Sequence, residues 1–181
     1  MVEDILVPLT AVGLAELGDK TQLAVLCLAS KTKRHFELLL GIILAFVITD
    51  GLAIVLGNFI TTYVTMKSLK IASGTLFIIF GIFTLMNSKK EEAHCELKQP
   101  FSSAFLLIFV SEMGDKTQIA SGLFATQYSP VWVFIGVISA LTVLSVMAVY
   151  LGKFIALKIK KKTISTIAGI SFVLIGISFF L

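Results

Sequence analysis

Charge, cysteine and proline are all scarce in this chain of 181 residues: 14% of positions are charged, with two cysteines, three prolines, two histidines and one tryptophan. Each scarcity excludes something. So few charges beside 57% hydrophobic residues and a mean hydropathy of +0.99 exclude a soluble domain and read as an integral membrane protein. Cys27 and Cys95 form neither a CxxC nor a metal-ligand spacing, so a thiol relay or a disulfide scaffold is not expected. No basic region or small-residue cleavage site accompanies the first apolar stretch, which therefore reads as a retained span. The net charge of +4 comes mostly from short loops, where it sets topology, so nucleic acid is not an expected partner.

What is present in quantity is apolar sequence. Hydropathy predicts six spans, at about 5–29, 37–61, 69–87, 101–126, 131–157 and 163–181. The chain also repeats itself. Leu56-Gly57-Asn58-Phe59-Ile60 returns as Leu151-Gly152-Lys153-Phe154-Ile155, and Gly41, Ala45, Gly74, Phe77 and Gly81 match Gly136, Ala140, Gly169, Phe172 and Gly176. The expected fold is thus an all-α integral membrane protein of six transmembrane helices, built as two inverted three-helix repeats. Residues 1–88 form the first repeat, 89–100 a cytoplasmic linker and 101–181 the second repeat. An odd number of spans in each half requires the halves to insert in opposite directions. Lysines and arginines gather in the connections after spans one, three and five, for example Lys31, Lys33, Arg34, Lys89, Lys90 and Lys160 to Lys162. The opposite side offers only Lys67 and Lys70. The positive-inside rule then puts both termini outside the cytoplasm. His94-Cys95 in the linker reads as solvated, and Tyr128 and Trp132 as an interfacial anchor.

The repeat is strongest where it is least apolar. Glu16-Leu17-Gly18-Asp19-Lys20-Thr21-Gln22 returns as Glu112-Met113-Gly114-Asp115-Lys116-Thr117-Gln118, with one change in seven. At 1.5 Å per residue, Glu16 lies on the order of 16 Å into its span, near the bilayer midplane. Three charged residues at that depth cost roughly 8–10 kcal/mol on insertion scales, so two copies point to use rather than accident. On a continuous helix Glu16, Asp19 and Lys20 share one face, as do Glu112, Asp115 and Lys116. Gly18 and Gly114 permit either close backbone approach or local unwinding.

If the two faces meet at the midplane, Glu16, Asp19, Glu112 and Asp115 converge, with Gln22 and Gln118 as further oxygen donors. No His, Cys or Met ligand set competes. Hard oxygen ligands suit Ca²⁺, Mn²⁺ or Mg²⁺ and disfavour Cu⁺ and Zn²⁺. Four carboxylates and two lysines sum to −2, which one divalent ion neutralises. Protons are the other species able to neutralise those carboxylates, and such competition is the physical minimum for cation–proton exchange. Lys20, Thr21, Lys116 and Thr117 are the candidates for gating or charge compensation; a fixed structural salt bridge is the plainer role for the lysines. Asp50, whose repeat mate is Ser145, is the proton-coupling candidate, with the lining of a watery vestibule as its alternative.

The pattern Glu-x-Gly-Asp-Lys-Thr, present twice across six spans, resembles the Gdt-type divalent-cation transporter family. That family includes bacterial manganese exporters and the Golgi manganese/calcium transporter. The resemblance spans essentially the whole chain and implies divalent-cation transport with proton counter-transport, the motif acids serving as ligands. The expectation is therefore a secondary transporter, not an enzyme, that exports Mn²⁺, with Ca²⁺ second, from the cytoplasm in exchange for protons. Alternating access would run around the midplane carboxylates. No cofactor is expected, since the metal is the substrate; the partners are a divalent ion, protons and lipid. The expected place is the bacterial inner membrane. A passive cation channel is the main rival, and an intramembrane metalloenzyme the next.

Overall fold

The computed structural model describes residues 2–86, 97–158 and 161–180, and within these the side chains of 20, 152–158 and 161–165 are not described. Residues 89–96 of the 89–100 linker expected from the sequence, with His94 and Cys95, therefore lie outside the described residues. All regular structure among the described residues is helical, in eight helices: α1 (Val2–Glu16), α2 (Lys20–Ser30), α3 (His35–Ile60), α4 (Met66–Met86), α5 (Pro100–Glu112), α6 (Lys116–Gln127), α7 (Pro130–Lys158) and α8 (Lys161–Ser178).

Eight helices replace the six expected because the first and fourth apolar stretches are each broken at the repeated motif. The cause is local. Gly18 and Gly114 have φ of 81° and 80°, and no other described residue has positive φ. A left-handed residue cannot continue a right-handed helix, and glycine reaches that conformation without the penalty a Cβ would bring. The Asp19 N–H donates to Glu16 O at 3.1 Å and the Asp115 N–H to Glu112 O at 3.0 Å, so both breaks close as the same tight turn. Sequence left close approach and unwinding as alternatives; unwinding is what the backbone does.

Among the described residues, three helices are long and apolar enough to cross a membrane: His35–Ile60, Met66–Met86 and Pro130–Leu151, with mean hydropathies of 2.6, 1.9 and 2.3. Shorter apolar helices at Thr21–Ser30, Pro100–Glu112 and Thr166–Ser178 lie beside them. Large apolar side chains such as Leu52, Val55, Phe83, Val110 and Leu174 stay exposed on the helix exteriors. Such a surface suits hydrocarbon better than water.

Much of the packing is reciprocal between the halves. Helix α3 packs on α5 and α6, as α7 packs on α1 and α2, while α3 with α7 and α4 with α8 form the two contacts between equivalents. Gly41 faces the backbone carbonyl of Phe101, and its mate Gly136 faces that of Ile5. At the α4–α8 crossing, a Cβ on Gly74 would lie 2.8 Å from Gly176 O, and one on Gly81 would lie 2.7 Å from Gly169 O. Backbones this close leave no room for a side chain and gain the dispersion contacts that hold helices together in lipid. A buried core of Phe77, Phe124 and Phe172, with ring centroids of Phe77 4.7 Å from Phe124 and 5.7 Å from Phe172, ties α6 to this pair.

Candidate metal site

The two breaks put helix ends beside the charged residues. Helices α1 and α5 end at Glu16 and Glu112, and α2 and α6 begin at Lys20 and Lys116. The last carbonyls of α1 and α5 carry partial negative charge, and both helices end on a carboxylate. The turns are pinned from within. Gln22 Oε1 accepts the Gly18 N–H at 2.7 Å, and Gln118 Oε1 accepts the Gly114 N–H at the same distance. The glutamine at the third helical position thus reaches back over the break, much as in a capping box. Gln118 also donates from Nε2 to the Thr49 carbonyl at 3.0 Å, fastening α6 to α3.

Among the described residues, two bonds cross between the motifs. Thr21 donates to Glu112 Oε1 at 2.6 Å, and the Lys116 ammonium pairs with Asp19 Oδ2 at 2.8 Å. Glu16, Asp19 and Asp115 each present an oxygen within 4.8 Å of the others'. That spacing lets one cation touch all three, given hard-cation bonds of about 2.0–2.6 Å. Glu16 is 2% exposed, and its Oε1 is buried with no hydrogen-bond partner among the described residues. A buried carboxylate oxygen left so is costly unless something else satisfies it. It borders a small cavity lined by Thr21, Gln22, Val25, Phe46, Leu144 and Ser145, among others.

The motif residues other than Lys20, together with Asp50, can now be placed. Glu16, Asp19 and Asp115 meet. Glu112 is buried across the same junction but engages the Thr21 hydroxyl, outside the three-carboxylate group. Thr117 donates to Asp115 Oδ2 at 3.3 Å. The oxygens of Gln22 and Gln118 point at the loop N–H groups. The Lys20 side chain is not among those described. Asp50, on α3, is 1% exposed and accepts from Ser121 at 2.8 Å and from Thr49 at 3.4 Å.

Sequence reading missed Ser121, Thr49 and the place of Ser145. Asp50 itself held the signal: a carboxylate in an apolar span requires donors, and α6 supplies one in Ser121, three residues beyond Gln118.

Comparison with known proteins identifies the family. The family model described as "Divalent cation/proton antiporter GDT1" matches residues 4–92 and 100–181. A Vibrio cholerae protein named "Putative manganese exporter" is 31% identical over 175 residues, covering 95% of this chain and 88% of that protein. A "GDT1-like protein" of Synechocystis is 29% identical over 192 residues, covering 93% and 92%, and "GDT1-like protein 3" of Oryza sativa subsp. indica is 26% identical over 198 residues, covering 94% and 71%. No solved structure matches the chain. The chain belongs to the GDT1 family of divalent cation/proton antiporters.

Proposed function

We propose, starting from that membership, that this protein exports Mn²⁺, with Ca²⁺ as the second substrate, from the cytoplasm in exchange for protons. The observation that carries the reading is the meeting of Glu16, Asp19 and Asp115, drawn from both motif copies, with oxygens within 4.8 Å of one another. Three carboxylates with no nitrogen or sulfur donor favour a hard divalent ion over Zn²⁺ or Cu⁺. Glu112 completes the acidic set from the Thr21 side, and Gln22 and Gln118 hold the loops that carry it. Protons compete with the metal for the same carboxylates, so falling pH weakens metal binding. A gradient of one ion can thereby drive the other.

The reciprocal packing supports six spans in two inverted repeats, with α1–α2 and α5–α6 each acting as one broken span. Broken helices at a repeat interface are where transporters place ion sites. With the basic loops in the cytoplasm, both termini lie outside, in a bacterial inner membrane. Asp50 is the candidate for carrying a proton beside the metal site. A channel would use the same acids as a filter, but the buried Glu16 oxygen favours a closed binding site over an open pore.

The test is purified protein in liposomes, following Mn²⁺ or Ca²⁺ uptake with internal pH, wild type against Glu112→Gln. Saturable metal flux opposed by protons, and lost in the variant, is the expected result. Metal flux without a pH change would leave a uniporter or channel. Absence of any flux would return the metalloenzyme to consideration.

A further inference from the structure

We infer that Lys116 is a tethered cation: its ammonium shares Asp19 with the transported ion, and the ion binds by displacing it. The inference rests on the carboxylate site proposed above. Lys116 Nζ sits 2.8 Å from Asp19 Oδ2, and the two residues belong to different copies of the motif. Asp19 is also one of the three carboxylates whose oxygens lie within 4.8 Å of one another. A divalent ion bonded to that oxygen would stand within a few ångströms of the ammonium. Repulsion between +2 and +1 at such range, in a poorly screened setting, opposes their sharing one carboxylate.

The geometry lets the side chain leave without disturbing its helix. Lys116 is the first residue of α6, and the start of α6 is held by Gln118, which bonds Gly114 N–H and the Thr49 carbonyl. The backbone is thus fixed while four rotatable bonds remain. The Lys116 side chain is 25% exposed, which gives the ammonium a route outward, unlike the buried carboxylates of Glu16 and Glu112. A compact ammonium on a flexible stem suits this better than a planar guanidinium would. When the ion departs, Lys116 returns one positive charge to the acids, so the site never stands with its full negative charge uncompensated.

A role as a fixed strut makes the opposite predictions. A membrane-permeant carbodiimide, applied to the wild-type protein in detergent, couples a carboxylate to an amine only where they touch. Peptide mass spectrometry then reads the Asp19–Lys116 amide with and without saturating Mn²⁺, while calorimetry on the same sample reads metal binding. We expect the link to form without metal and to fall by about tenfold with it, and Lys116→Gln to bind Mn²⁺ about tenfold or more tightly. Binding of Mn²⁺ with no change in the link overturns the inference and leaves the metal site standing. Lys116→Gln protein that is folded and binds more weakly also overturns it. Should that variant fail to fold, reductive methylation of the Lys116 amine in the wild type decides, since it should rise when Mn²⁺ displaces the side chain and stay unchanged if the side chain remains paired. Absence of any Mn²⁺ binding overturns both readings.

Discussion

The two motif copies share a backbone and differ in their neighbours. Both break their helix at a glycine with φ near +80°, and both pin the turn with a glutamine at 2.7 Å. Around Glu112 the surroundings are polar: Thr21 bonds it, and Asp50, Ser121 and Thr49 line the same side. Around Glu16 the repeat mates of Asp50, Ser121 and Thr49 are Ser145, Val25 and Leu144, and one carboxylate oxygen is left without a hydrogen bond. Ser145 turns its hydroxyl to the Leu141 carbonyl of its own helix at 2.7 Å instead. Duplication copied the frame, and divergence of the lining assigned the two glutamates different company. Under the proposed function, Glu16 is the acid left to a metal, while Glu112 is bonded by Thr21.

That contrast can be broken most forcefully at the glutamates themselves. Glu16→Gln and Glu112→Gln should both abolish exchange in liposomes. Calorimetry should find Mn²⁺ binding lost in Glu16→Gln and only weakened in Glu112→Gln. Equal loss in both would erase the proposed division. Next in size, Ser121→Ala removes the donor to a buried carboxylate and should cost about 2 kcal/mol in detergent unfolding, whereas Ser145→Ala should cost far less. Gly18→Ala and Gly114→Ala force a Cβ into the left-handed region and should each cost about 1–2 kcal/mol, alike in the two halves. Nothing lies within 4 Å of a Cβ at Gly114, so there the cost comes from the backbone alone. The smallest effect concerns the pins. Gln118→Leu should destabilise more than Gln22→Leu by about 1 kcal/mol, because Gln118 also bonds the Thr49 carbonyl. A reversed order would show that the two breaks are held by something else.

Much of this was legible in the chain. The repeat is literal, the apolar runs are long, and charge at membrane depth singles out the motif acids without any coordinates. The helix end at Ile60 falls within a residue of the expected 61. The breaks were harder to read, because hydropathy averages over a window and sees Gly18 and Gly114 only as tolerated interruptions. Their backbone sign is a property of φ, which no residue count reports. The Asp50 contacts were hidden for another reason: Ser121 and Thr49 are ordinary helical hydroxyls, distinguished only by what faces them across an interface. The Lys116–Asp19 pair crosses copies, whereas helical spacing points first to partners within one copy.

The α4–α8 crossing has a consequence for how this sequence can change. Gly74 meets Gly176 and Gly81 meets Gly169, while the duplication pairs Gly74 with Gly169 and Gly81 with Gly176. Position i of one half touches j of the other, and j touches i. This is the contact rule of an isologous dimer, written within a single polypeptide. Neither half can enlarge a residue at this seam on its own, since the atom it would strike is the main chain of the other, which no compensating substitution removes. The two halves are free to drift apart at Val25 and Ser121, as they have, yet stay bound to one another's history at four glycines.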